Sequence, residues 1–154
     1  MNLVNFSIAK EPALICLEVE GQVLDLHNFF NFEGVYQNLA ERTVSLVWRD
    51  NGNSPVRFEA NGFELYFEEV NYFEVTPRDI EIPDFGEDLC LDGMALLKGD
   101  ESTEQLVADQ SLAVWYPNSP LEYDHIWFAF RSGQRIRIGA KKANYRALSL
   151  DVTG

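Results

Sequence analysis

Glu64, Glu68 and Glu69 stand among aromatic side chains in the run NGFELYFEEVNYFEV, residues 61–75. Carboxylates flanked by rings are the equipment of glycoside hydrolysis, in which one acid protonates the leaving oxygen and a second acts as base or nucleophile. A similar gathering places Glu122, Asp124 and His125 close to Trp115, Tyr116 and Trp127. With 25 acids in 154 residues, however, neighbouring carboxylates follow from composition alone. The sequence therefore names no catalytic residue, and a carboxylate-dependent hydrolase is the weakest functional reading. His125 alternates with Ile126, which puts it on an outer face as a surface or hydrogen-bonded histidine.

Other chemistries lack their parts. His27 and His125 are the two histidines, and neither sits in an H-x-x-x-H or C-x-x-C setting that would suit zinc. The acidic run DFGEDLCLDG offers Asp84, Glu87, Asp88 and Asp92 as oxygen ligands but lacks the order of a calcium-binding loop. No metal or other cofactor is expected. There is no G-x-S-x-G elbow, and neither Cys16 nor Cys90 has a nearby partner in sequence. Cys16 could meet His27, or Cys90 could meet His125, only through the tertiary fold. Two buried free thiols in a reducing compartment is the expected state.

The formal charge is −13, from 25 acids against 12 bases. That balance opposes binding to nucleic acid or to anionic membranes, both of which need Lys and Arg surfaces. It suits solubility and, beyond that, a basic partner. The acid is concentrated: Glu59–Glu104 holds 14 acids with Arg78 and Lys98, whereas Arg131–Arg146 holds six bases and no acid. Pairing of a basic final hairpin with an acidic middle one would account for this pattern. The N-terminal run MNLVNFSIAKEPALICLEVEG has no basic segment ahead of an apolar one, and Lys10 and Glu11 interrupt it. A cytoplasmic chain without a membrane span is expected.

Period-two patterning must position whatever site exists. Val44, Leu46 and Trp48 alternate with Thr43, Ser45 and Val47 in RTVSLVWR. Phe63, Leu65 and Phe67 alternate with Glu64, Tyr66 and Glu68, and Asn61-Gly62 ahead of them is the dipeptide of a two-residue hairpin turn from Val56 and Phe58. The apolar phase then slips and resumes at Val70, Phe73 and Val75, which predicts a bulge near Glu68-Glu69. ALICLEVEGQVLDL reads as a hairpin about Glu20-Gly21-Gln22, and HIWFAFRSGQRIRIGA as one about Ser132-Gly133, with Arg135 and Arg137 outward. LCLDGMALL and SLAVWY are further strands, KGDESTEQLVADQ is an acidic loop with room for one helical turn, and KKANYRALSL closes the domain as strand or short helix. HNFFNFEGVYQNLAE fits a helical face through Phe29, Phe32, Tyr36 and Leu39, but Gly34 favours a strand over Val35–Leu39. A single mainly β domain over residues 1–154 follows, with α+β carrying one short helix as the alternative. Its expected architecture is an antiparallel sandwich or a strongly curved sheet or barrel built from hairpins.

The order LHNFFNFEGVYQNLAERTVSLVWR followed by VRFEANGFELYFEEVNYFEV, about residues 26–75 with Leu65, Phe67 and Val70 as an L-x-F-x-x-V core, resembles small bacterial β-rich immunity-type proteins. The resemblance implies a non-catalytic domain that binds and neutralises a cognate toxin. An acidic surface would speed its encounter with a basic partner. The leading expectation is thus a non-catalytic acidic β domain that binds a basic protein, with Glu64, Tyr66, Glu68 and Glu69 as the contact strip. The alternative is a small-ligand binder with an aromatic-lined pocket. Exposed strand edges also allow a homodimer.

Overall fold

The computed structural model describes residues 1–9, 15–54, 60–82, 85–97 and 124–149. The chain is mainly β. Its strands are β1 (Asn2–Val4), β2 (Ser7–Ala9), β3 (Cys16–Val19), β4 (Gln22–Asp25), β5 (Phe30–Asn38), β6 (Thr43–Asp50), β7 (Gly62–Thr76), β8 (Leu91–Leu97), β9 (His125–Phe130) and β10 (Arg135–Ala147). A short 3-10 turn at Phe85–Leu89 is the helical element among the described residues. Residues 30–38, which the sequence left between helix and strand, form a strand, and KKANYRA continues β10. SLAVWY, KGDESTEQLVADQ and the arm Val56–Phe58 lie outside the described residues.

The strands make a seven-stranded sheet in the order β5-β6-β7-β10-β9-β8, with β1 parallel to β10, and a small sheet β2-β3-β4. The large sheet curves into a half-barrel. Its curvature follows from two long strands that change neighbours. β7 lies between β6 and β10 along its first half, through Phe67, whereas its second half pairs with β10. β10 in turn pairs with β9 over Arg135–Gly139 and with β1 over Lys142–Asn144. Where the exchange happens the ladder slips: Gly139 faces Tyr72, Ala140 faces Val70, and Asn71 is the extra residue. Glu69 just before it has φ 51. The expected bulge is therefore present, centred two residues beyond Glu69. The β5–β6 turn braces it, since the Val70 N–H donates to the Arg42 carbonyl at 2.9 Å and Arg42 Nε donates to the Val70 carbonyl at 3.1 Å.

The expected inward residues Val44, Leu46, Trp48, Phe63, Leu65 and Phe67 are all buried. Rings fill the concave side: Phe32 lies 5.2 Å from Trp48 and 4.7 Å from Phe130, and Trp48 stacks on Phe63 at 5.3 Å. Val70 and Phe73 pack against this core, whereas Val75 is 43% exposed. The Asn61-Gly62 reading needs a correction. Gly62 has φ 142 and Asn61 is not among the residues with positive φ, so the pair does not form the tight turn that wants both positions left-handed. Gly62 instead opens β7 directly against Arg49 of β6.

Candidate functional site

The proposed contact strip lies on the convex face of β7. There, alternation turns Glu64, Tyr66 and Glu68 away from the core, as the sequence implies. The antiparallel register brings Arg146 opposite Glu64, Asn144 opposite Tyr66 and Lys142 opposite Glu68. Arg146 Nη1 sits 3.2 Å from Glu64 Oε1, with its guanidinium carbon 3.5 Å from the centre of the Tyr66 ring. Lys142 Nζ is 3.0 Å from Glu68 Oε2, which also accepts from Asn144 Nδ2 at 2.6 Å. Lys141 Nζ is 3.1 Å from Glu69 Oε1. Hydrogen bonds from Lys142 and Asn144 hold the Glu68 carboxyl below its ordinary pKa. The strip is a ladder of cross-strand pairs, each stabilising the β7–β10 contact by a few tenths of a kcal/mol at this exposure. Pairing of the last hairpin's Arg131, Lys141, Lys142 and Arg146 with Glu87, Glu69, Glu68 and Glu64 thus accounts for part of the sequence's uneven charge.

A second polar cluster was not legible in the sequence. Gly139 faces Tyr72 on one side and His125 on the other, so both rings fold over a backbone with no side chain. They stack at 4.8 Å, and a Cβ on Gly139 would fall 2.5 Å from His125 Nε2 and 2.7 Å from Asn71 Oδ1. Arg137 Nε donates to His125 Nδ1 at 3.0 Å, which fixes the neutral tautomer with the proton on Nε2. Tyr72 donates to Glu74 Oε2 at 2.5 Å. His125 is fully buried, so of its two expected states it is the hydrogen-bonded one, whereas Arg137, expected to face out, is 8% exposed. This cluster packs the convex face rather than opening a cleft.

Cys16 and Cys90 are not joined in a disulfide, and Cys16 is buried. The meeting that occurs is neither of those considered from sequence: Cys90 Sγ lies 3.5 Å from His27 Nδ1. His27 Nδ1 is also 2.7 Å from the Leu91 carbonyl, to which it donates. The histidine thereby ties the loop before β5 to the start of β8. Burial pushes the Cys90 thiol above its ordinary pKa, against the pull of Arg131, so the thiol stays protonated at neutral pH. A protonated thiol is a poor nucleophile, and the pair serves as a fastening.

The carboxylates considered for chemistry have other engagements. Asp124 Oδ2 binds the N-terminal ammonium at 2.7 Å. Glu87 pairs with Arg131 at 2.8 Å and Asp88 with Arg78 at 3.4 Å. No group of three or more His, Cys, Asp or Glu among the described residues is arranged to hold a metal ion. Asp84, Trp115, Tyr116 and Glu122 lie outside the described residues. An open groove of about 370 Å³ runs between Phe32 and Glu33 of β5, Pro77-Arg78, and Asp88-Leu89. It falls within the size range of small-molecule sites but is not the enclosed, ring-lined cavity that a ligand-binding barrel requires. The rings that would line such a cavity pack against each other instead. No helix among the described residues is long and apolar enough to cross a membrane.

Comparison of the chain with protein-family models, with curated proteins and with solved structures finds no match.

Proposed function

We propose that this chain is a non-catalytic binding protein that docks on a basic protein and neutralises it, in the manner of the immunity-type proteins that residues 26–75 resemble. One observation carries this reading. Every Lys and Arg side chain among the described residues is engaged inside the fold. Arg49 pairs with Glu33, Arg78 with Asp88, Arg131 with Glu87, and Lys141, Lys142 and Arg146 with the β7 glutamates. Arg42 bonds a carbonyl, Arg135 covers Trp127 and Arg137 holds His125. The surplus acid is left facing solvent without a neutralising cation among the described residues: Glu18 and Glu20 about the β3–β4 turn, Glu41 in the β5–β6 turn, Glu81, and Asp92. A surface of that kind steers a cationic partner and repels nucleic acid.

The contact role passes accordingly from Glu64, Tyr66, Glu68 and Glu69 to the acids on the turns. Glu64, Glu68 and Glu69 are each paired with a cation of β10, and Arg146 covers the Tyr66 ring. The immobilised chain, challenged with a host extract at low salt, is expected to retain a basic protein. Association of that protein should slow at least about tenfold between about 0.05 M and 0.5 M NaCl. An association rate indifferent to salt, or retention of acidic and basic proteins alike, would contradict the reading.

A further inference from the structure

β5 is a terminal strand of the large sheet and pairs only with β6 among the described residues. Its first part is guarded. Residues Phe32 and Glu33 carry a register slip against β6 and border the groove beside the 3-10 turn. From Gly34 onward nothing among the described residues pairs with the outer edge. Natural edges are protected by lysine, proline or inward charge, because unpaired N–H and C=O groups recruit another strand. This one has none of these: residues 34–40 read GVYQNLA, an uncharged run in a chain of net charge −13. Two of its side chains are large, apolar and open to solvent, Tyr36 at 56% and Leu39 at 70%.

We infer that the outer edge of β5 from Gly34 to Asn38, with Tyr36 and Leu39, is where two copies of this chain join by antiparallel strand pairing. Charge decides the occupant. An extended segment of a basic partner would find no carboxylate along residues 34–40. A second copy places neutral residues opposite neutral residues and covers both Tyr36 and Leu39. The opposite terminal strand, β8, is a poorer candidate, since it carries exposed Asp92 and its first carbonyl is already taken by His27. The edge is short and each copy is strongly acidic, so the dimer is weak and is favoured by screening. Its salt dependence is opposite in sign to that of binding to a basic partner, and either behaviour can fail without the other.

Sedimentation equilibrium over a wide concentration range, at about 0.05 M and about 0.5 M NaCl, tests this. The wild-type chain is expected to shift from monomer to dimer as concentration rises, and to do so at lower concentration in high salt. Tyr36→Glu/Leu39→Glu, and Leu39→Glu alone, should weaken the dimer, the double change by about tenfold or more. Val23→Glu/Ile80→Glu adds the same charge at positions 55% and 95% exposed that belong to neither β5 nor its turn, and should leave the extra salt-promoted dimer in place. A monomer at all concentrations in both salts overturns the inference. So does equal dimerisation of the β5 variants and the wild type.

Discussion

Gly62→Ala is expected to cost about 4 kcal/mol, placing it in the rare class of severely destabilising single changes. Two independent obstacles add. The backbone at Gly62 has φ 142, a conformation that L side chains rarely adopt. An added Cβ would also overlap the Trp48 carbonyl oxygen and lie 3.0 Å from Arg49 Cα. Neither neighbour can yield cheaply, because both belong to the backbone of β6, and the Trp48 side chain is buried in the ring cluster. In a chain of this length such a loss lowers the melting temperature by roughly 8–16 °C, readable by near-ultraviolet circular dichroism. A loss under about 1 kcal/mol would show that β7 does not enter the sheet as described.

Trp48→Ala should cost a similar amount, about 4 kcal/mol, by emptying the centre of the concave face. Trp48 is fully buried and touches Phe32, Phe63 and Phe128, with ring centres 5.2, 5.3 and 5.8 Å away. Trp48→Phe should cost far less, about 1–2 kcal/mol. The indole Nε1 is buried with no hydrogen-bond partner among the described residues, so the smaller ring forfeits packing volume but no polar contact to them. Urea denaturation of both variants separates the effects. Equal losses for Ala and Phe would mean that the indole nitrogen, rather than ring packing, holds this part of the core.

What the sequence revealed was whatever repeats within one strand. Alternation alone assigned Val44, Leu46 and Trp48 to one face of β6 and Phe63, Leu65 and Phe67 to one face of β7. The phase slip after Glu68 announced the bulge because adding one residue exchanges the two faces. What stayed hidden depends on which strands become neighbours. His125 and Arg137 were assigned outward by their spacing, which is right for direction. The stack of Tyr72 on His125 over Gly139 needs β7, β10 and β9 side by side, which no single strand announces. The Cys90–His27 contact joins residues 63 apart, and nothing local to either one marks it. The contact strip was legible as acidic, and its pairing with the basic final hairpin was legible in outline, but not which cation meets which glutamate. Only the β7–β10 register shows that each of its glutamates has a cation from the last strand.

That distinction is the centre of the functional account: acid on the β7 strip fastens the sheet, while acid on the turns provides the field a basic partner would meet. Amide chemical-shift mapping with a short oligolysine peptide at low salt tests it most directly. The account predicts perturbations around Glu18, Glu20 and Glu41 that fade as salt rises, with Glu64, Glu68 and Glu69 little changed. Perturbations centred on the β7 strip, or shifts that persist unchanged in high salt, would contradict it.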